Sequence, residues 1–269
     1  MKLVQQWKHK FVTLLVASAS IPSESFVLNT KRIASHHLST MTATSAFRSD
    51  ATTTTTNTND ASEVDSVNVT ITSDLMCPWC YVGLRKLQEA SKIANVDTNI
   101  VWKPYMLRPN LPEEGAPKGG TPASRVGRHL KAAGESVGIQ FTGLTDKTPN
   151  TGLFHATMKW ILEKEKDGTK QTEFQEKVFD AYFTRGVFPD QKLLLETARK
   201  IGVGAVVEEL FNNTKQLAQM RKAVAKEARE ASTNRGIDGV PFFEFDGYPA
   251  FSGAQDVRYF VQYLQRHAK

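Results

Sequence analysis

The chain has 269 residues, 40% of them hydrophobic, with 34 Lys and Arg against 28 Asp and Glu for a net charge of +6, enough apolar content for a real core in one large or two small domains. The charge is uneven: residues 1–49 carry six basic side chains against Glu24 alone, and the remaining 220 residues hold 28 basic and 27 acidic ones. A nearly neutral body excludes a basic nucleic-acid footprint, and the lack of any apolar run of about 18 residues excludes a membrane span in the mature protein.

The front end reads as an address rather than as part of the fold. Lys2, Lys8 and Lys10 precede a short apolar stretch, Phe11 to Ala19, which closes on Ala17-Ser18-Ala19, a small-x-small pattern suited to signal peptidase. Ile21 to Arg48 is rich in Ser and Thr, nearly free of acids and carries Lys31, Arg32, His36 and His37, as organelle transit peptides do. A two-part leader is expected, directing the chain to the secretory pathway or to an organelle such as a plastid or mitochondrion rather than the cytosol; a plain disordered tail is the alternative. Residues 51–62, with Thr52 to Thr56 in a row, have too little apolar content to pack and read as a linker. Residues 1–65 are thus taken as targeting segment and disordered linker.

From Val67 the pattern changes. Val67, Val69 and Ile71 alternate with Asn68, Thr70 and Thr72, the period of two of a half-buried strand. Cys77-Pro78-Trp79-Cys80 follows at once and holds both cysteines of the chain. Two sulfurs at this spacing on the first turn of a helix can form a small strained disulfide that another thiol can reduce. A zinc site would want four ligands, and there is no second Cys-x-x-Cys; two inert core cysteines would rarely flank Pro-Trp. The run to about Ala94 reads as a helix, with Pro78 in its first turn and Leu84, Leu87 and Ile93 at near-helical spacing. Asn99 to Lys103 reads as a second strand, and Val67 to Lys103 is long enough for a right-handed βαβ crossover with parallel strands.

The middle of the chain, residues 105–233, has a Gly- and Pro-rich loop from Leu111 to Gly120 and then amphipathic segments over Ala123–Ala133, Leu153–Lys166, Thr172–Phe183, Gln191–Ile201 and Ala205–Ala231, the last with a break near Asn212-Asn213. None reads as a strand, so an all-helical block of four to six helices is expected. Strand signal returns in Val240, Phe242, Phe243 and Phe245, turns at Asp246-Gly247 and resumes from Tyr248 to Phe251, a hairpin pattern. Ser252-Gly253-Ala254-Gln255 has the capping-box form, and Val257, Phe260, Val261 and Leu264 trace one face of a last helix. The expected architecture is α/β: residues 66–104 and 234–269 form one βαβ + ββα domain, and 105–233 is a helical insertion.

Three separated motifs carry a resemblance: Ser73-Asp74-Leu75-Met76-Cys77-Pro78-Trp79-Cys80-Tyr81-Val82-Gly83, Thr148-Pro149-Asn150-Thr151, and Gly239-Val240-Pro241-Phe242-Phe243 with Ser252-Gly253-Ala254-Gln255. Over about Val67 to Leu264 the chain resembles thioredoxin-fold oxidoreductases of the DsbA type, most closely the FrnE-like branch related to 2-hydroxychromene-2-carboxylate isomerases and kappa-class glutathione transferases. The resemblance implies a thioredoxin-like fold with an inserted helical domain, a cis peptide bond at Pro241 facing the dithiol, and a backbone at Val240 open to an extended substrate. It also implies that the buried acid of thioredoxins falls near Ile71, where no acid stands.

The expected activity is thiol–disulfide exchange on protein or small-molecule disulfides, with no metal or other cofactor and with glutathione as a possible redox partner. Cys77, at a helix N-terminus whose free N–H groups and dipole favour a thiolate, is the expected nucleophile. Cys80 is the expected resolving thiol, aided by its high effective concentration. Trp79 reads either as a substrate-facing ring or as ordinary hydrophobic surface. Three accessory candidates each have a structural alternative: Asp74 as proton carrier or turn residue, His155 as site or core histidine, and Asn150, with Thr151, as cleft residue or helix cap. Two other functions remain open: a glutathione-dependent isomerase or transferase, whose kappa-like relatives usually have Ser at the position of Cys77, and a non-catalytic module whose dithiol senses redox state.

Overall fold

The structure, a computed structural model, describes residues 65–166 and 168–268; the leader and linker expected over residues 1–65 lie, Asp65 apart, outside the described residues. Strand β1 (Ser66–Ser73) runs into helix α1 (Pro78–Ala94) and returns as β2 (Asp97–Pro104). The last part of the chain forms strands β5 (Phe242–Phe245) and β6 (Tyr248–Ser252) and helix α9 (Val257–His267). One four-stranded sheet results, in the order β2-β1-β5-β6, with β1 and β2 parallel and the other neighbours antiparallel. This is the thioredoxin-like α/β fold.

Periodicity decides which strand sits in the middle. Val67, Val69 and Ile71 are buried, and β1 pairs on both edges, Ile71 lying opposite Trp102 on one side and Phe243 on the other. The free edge of β2 is occupied by a side chain: buried Gln171 accepts from the Trp102 N–H at 2.8 Å and donates to the Trp102 carbonyl at 3.4 Å, standing in for a further strand. The hairpin turns at Asp246 (φ 47°) and Gly247 (φ 81°), two successive positive φ values that match the right-handed twist of the strands it joins.

Between the two halves of the sheet the chain builds α2 (Pro122–Arg125), α3 (Arg128–Glu135), α4 (Gly152–Glu165), α5 (Gly168–Phe179) continued by a π-helical turn over Asp180–Thr184, α6 (Gln191–Lys200), α7 (Gly204–Asn212) and α8 (Thr214–Thr233). The break at Asn212-Asn213 is present, with the Asn213 side chain accepting from Gln216 N–H. Four details differ from the reading of the sequence. The segment Ala123–Ala133 is two helices, because Thr121 caps the first with Ser124 and Gly127 begins the second. A short ribbon, β3 (Ala116–Pro117) with β4 (Lys147–Thr148), lies in the region read as strand-free; two-residue ladders leave no periodicity to read. Ser252 ends β6 rather than capping α9, whose cap is Asp256, accepting from Arg258 N–H. Ile93 is exposed at 61%, so the buried face of α1 runs through Leu84, Leu87 and Ala90.

α1 packs against α9, and α5 packs on β2. The place where α1 meets the start of β5 sets the geometry of the site. Gly83 lies in mid-helix, where glycine costs about 1 kcal/mol relative to alanine. A Cβ there would lie 3.0 Å from Pro241 Cγ and 3.1 Å from Phe243 Cζ, so the missing side chain lets the two segments touch. Gly83→Val should destabilise the fold by about 1–3 kcal/mol through overpacking, read as a lowered urea midpoint at unchanged slope.

Candidate active site

The turn between β1 and α1 is held by one buried acid. Asp74 accepts the Cys77 N–H on its backbone carbonyl at 3.0 Å. Its carboxylate accepts from the Leu107 N–H at 2.8 Å and the Met76 N–H at 3.5 Å, and lies 3.4 Å from His155 Nε2. The backbone of Asp74 is thus that of a turn residue, while its carboxylate is fully buried, as few turn aspartates are. His155, from α4, is buried as well and packs beside Phe154.

Cys77 is the N-cap of α1 and Pro78 its first residue, so no N–H is lost to the proline. Cys80, one turn on, is completely buried, and both sulfurs are free thiols. Their surroundings drive them apart. The Cys77 pKa is lowered, first by the hydrogen bond from the Cys80 thiol and then by the Cys80 and Trp79 N–H groups, against the opposing effects of burial and of the Asp74 charge. Cys77 Sγ also lies 3.4 Å from the Val240 carbonyl, a contact that suits only the thiol; three converging donors outweigh it. The Cys80 pKa is raised, by burial first and then by its bond to Cys77 and the charge of the Cys77 thiolate, with the Ser73 hydroxyl and Asp74 N–H acting in the other direction.

The Val240–Pro241 peptide bond is cis, and the segment faces Cys77 through the Val240 carbonyl. The Val240 N–H bonds to no group among the described residues. Trp79 is 38% exposed on the first turn of α1. Asn150 is engaged structurally: it donates to the Leu111 carbonyl at 2.5 Å and accepts from the Gly152 N–H at 2.9 Å, fixing the entry to α4. Thr151 is the cap residue of that helix but makes no side-chain bond.

A groove of about 490 Å³ opens beside Met76 and Pro78, and its wall includes Arg108, Lys118, Arg125 and Tyr182. Lys118 Nζ sits 4.6 Å from the centre of the Tyr182 ring, and burial together with the Arg125 charge lowers its pKa. Arg125 is fixed by backbone carbonyls, including those of Gly120 at 2.9 Å and Gly143 at 3.1 Å. Sequence reasoning missed these groove residues and also Ser73. The groove residues come from the loop after β2 (Arg108), the residue following β3 (Lys118), α2 (Arg125) and the π-helical turn (Tyr182), while Ser73 ends β1, and no local pattern announces that the groove segments meet next to residue 78. Among the described residues no group of three or more His, Cys, Asp or Glu is placed to hold a metal ion.

A family model for the DSBA-like thioredoxin domain matches residues 68–265. The chain belongs to this DsbA-like family. Among solved structures, a probable DsbA oxidoreductase from Streptomyces coelicolor is 25% identical, covering 75% of this chain and 89% of that one at a TM-score of 0.60. The cytosolic disulfide reductase DsbM from Pseudomonas aeruginosa, in a structure with GSH, is 18% identical and superposes over 72% of this chain and 93% of that one at a TM-score of 0.54. The uncharacterized Bacillus subtilis protein YwbO is 23% identical over 180 residues, 66% of this chain and 86% of that protein.

The asymmetry of the two sulfurs is measurable. At neutral pH, iodoacetamide should label Cys77 well before Cys80, and Cys80→Ala should move the Cys77 pKa up, because the strongest bond to its thiolate is lost; thiolate ultraviolet absorbance against pH reads both. The sign for stability follows from linkage. A lowered native pKa at Cys77 stabilises the reduced fold fully above its ordinary value of 9.0, and this contribution is lost as pH falls through the native value. Burial of neutral Cys80 stabilises the fold below 9.0 and does so less as pH rises through its raised native pKa.

Proposed function

We propose that this DsbA-like protein is a thiol–disulfide oxidoreductase in which Cys77 attacks and Cys80 resolves. The observation that supports the reading best is the opposite displacement of the two thiols, one lowered at a helix N-terminus and the other raised in the core, because a thiolate is the attacking species and a buried neutral thiol is held for the second step. In the forward direction the Cys77 thiolate attacks a substrate disulfide R–S–S–R′, forms Cys77–S–S–R and releases R′–S⁻. The Cys80 thiol then loses its proton and attacks Cys77 Sγ, the S–S bond of the mixed disulfide breaks with its electron pair leaving on the R sulfur, and the protein dithiol ends as a disulfide. Oxidation of substrate thiols is the reverse.

Substrate would lie across Val240 and the groove beside Pro78. The free Val240 N–H can pair with an extended backbone as an added strand does, and Trp79 offers an exposed ring at the same helix end. Asp74 and His155 take accessory roles behind the sulfurs; Asn150 acts at most by holding the loop at Leu111. The positive side chains of Arg108, Lys118 and Arg125 favour a substrate that carries carboxylates, which keeps glutathione among the small-molecule partners together with protein disulfides.

Reduction of insulin disulfides tests the reading. Cys77→Ser should lower the rate by about a hundredfold or more, while Cys80→Ser should accumulate a mixed disulfide on Cys77, detected by intact mass. Activity of Cys77→Ser toward a glutathione conjugate would point instead to a transferase of the kappa-like kind, and inactivity of the unmodified protein in both assays to a binding module.

A further inference from the structure

The two walls that meet at the Cys77 sulfur come from distant parts of the chain. One is the β1–α1 turn that presents Cys77; the other is the segment between α8 and β5, which presents Val240. An extended substrate has to reach the sulfur and the Val240 backbone together, so the spacing of the walls decides whether both contacts form at once. The second wall has few bonds of its own. Along it only Ile237 and Pro241 are buried. Asp238, Gly239 and Val240 donate no main-chain hydrogen bond among the described residues, and the one bond to their carbonyls is the contact of Cys77 Sγ with Val240. A Cβ at Gly236 or at Gly239 would meet nothing within 4 Å, so no neighbouring group presses on the backbone at either place.

The segment is therefore held where its buried residues stand. The Pro241 carbonyl accepts from the Gly253 N–H at 2.7 Å, and the Ile237 N–H bonds to the Ala231 carbonyl at 3.0 Å. Arg235 pairs with the buried Glu244 carboxylate at 2.6 Å. Each of these bonds ties the segment to an element that flanks it in the chain: α8, β5 or β6. Tyr105 makes a bond of another kind. Half-buried just past the end of β2, it donates its hydroxyl to the Ile237 carbonyl at 3.3 Å. Its own N–H bonds to the Ser73 carbonyl at 2.9 Å, and two residues on the Leu107 N–H bonds to the Asp74 carboxylate at 2.8 Å. Residues 105–107 are thus fastened to the turn beneath Cys77, and the Tyr105 hydroxyl carries that attachment across to a carbonyl three residues before Val240. We propose that Tyr105 is a positioning residue that sets the width of the substrate cleft, by joining the turn that presents Cys77 to the segment that presents Val240. This rests on the dithiol reading above and names the residue that adapts it to extended polypeptide substrates. A substrate that pairs with the Val240 backbone needs the segment in place, and its apparent affinity falls with the fraction of molecules in which the segment stands there. A small disulfide that needs the sulfur alone is indifferent to that fraction.

Two disulfides offered to the reduced full-length protein separate these cases. An extended peptide whose single cysteine carries a thionitrobenzoate group brings a backbone to Val240; dithiobis(nitrobenzoate) brings none. In both, Cys77 forms a new S–S bond with one sulfur, the old S–S bond breaks, and its electron pair leaves on thionitrobenzoate, the better leaving group, whose colour reports the rate. Tyr105→Phe removes the hydroxyl and keeps the ring. It should raise the half-saturating peptide concentration by about three- to tenfold, the range for one neutral hydrogen bond, with the limiting rate and the rate with dithiobis(nitrobenzoate) unchanged. An unchanged half-saturating concentration would overturn the proposal. An equal loss with both disulfides would overturn it as well, because that marks damage to the Cys77 turn and not displacement of the wall opposite. Release of thionitrobenzoate from neither disulfide by the unmodified reduced protein would sink the dithiol reading itself, a result in which the variant plays no part.

Discussion

The site depends on the close approach of the first turn of α1 to the segment that opens β5. Two chain regions more than 150 residues apart meet there: Cys77 Sγ lies against the Val240 carbonyl, and Gly83 against Pro241 and Phe243. The approach is set by β1, which pairs with β2 on one side and with β5 on the other and so carries both the helix that presents the cysteines and the neighbour strand that faces them. Beneath it Phe243 and Phe260 meet edge to face at 4.9 Å, and with α1 packed on α9 the helix end cannot retreat without opening the aromatic core. The rigidity of the sulfur environment is therefore a packing property of the sheet rather than of the Cys-Pro-Trp-Cys motif.

Within that frame the electrostatics of the two sulfurs are opposed by position alone. Cys77 stands where the unpaired N–H groups of a helix begin, and Cys80 one turn inside, where those groups are already bonded and water is absent. The same Cys80 thiol that burial keeps neutral is the strongest stabiliser of the Cys77 thiolate, and that shared bond adds to the effect of burial in raising the Cys80 pKa. Asp74 works against this arrangement, since its charge raises the Cys77 pKa, yet it also holds the turn through Leu107 and Met76. The turn that positions Cys77 is thus held by a charge that disfavours the Cys77 thiolate.

What the sequence disclosed and withheld follows from the range of the interactions. The parallel βαβ unit, the Asp246-Gly247 hairpin and the break before α8 are set by local periodicity and turn chemistry, and they are legible in residues 67–103, 246–247 and 212–213. The cap of α9 was misplaced because Ser252-Gly253-Ala254-Gln255 satisfies a capping pattern, while the competing demand, pairing of Ser252 with Phe242 in the sheet, is not local. The split of Ala123–Ala133 follows from the cap at Thr121 and from Gly127, which begins the second helix, while the apolar spacing runs through both. Of the site, the two cysteines were legible because two residues of one reactive type stood alone in the chain. Asp74 and His155, 81 positions apart, each had an ordinary local reading, and neither could be paired with the other from sequence. The groove was still less legible, since Lys118 in its loop, Arg125 at the end of α2 and Tyr182 in the helical segment over 172–183 each have an ordinary local reading, and nothing local says that they meet.

Burial of the second sulfur also bears on why polar groups accumulate behind it. A core that had only to hold an inert thiol would be most stable with apolar neighbours. At the end of β1 and on the cavity beside it stand instead Thr72, Ser73, Asp74, His155, Gln171 and Gln175, all buried. Gln171 is explained by the edge of β2 and Asp74 by its turn, but Thr72 Oγ1, Ser73 Oγ and Gln175 Nε2 have no hydrogen-bond partner among the described residues to offset their desolvation. Such groups lower stability where they stand, and among the described residues they gather beside the end of the strand that leads to the two cysteines.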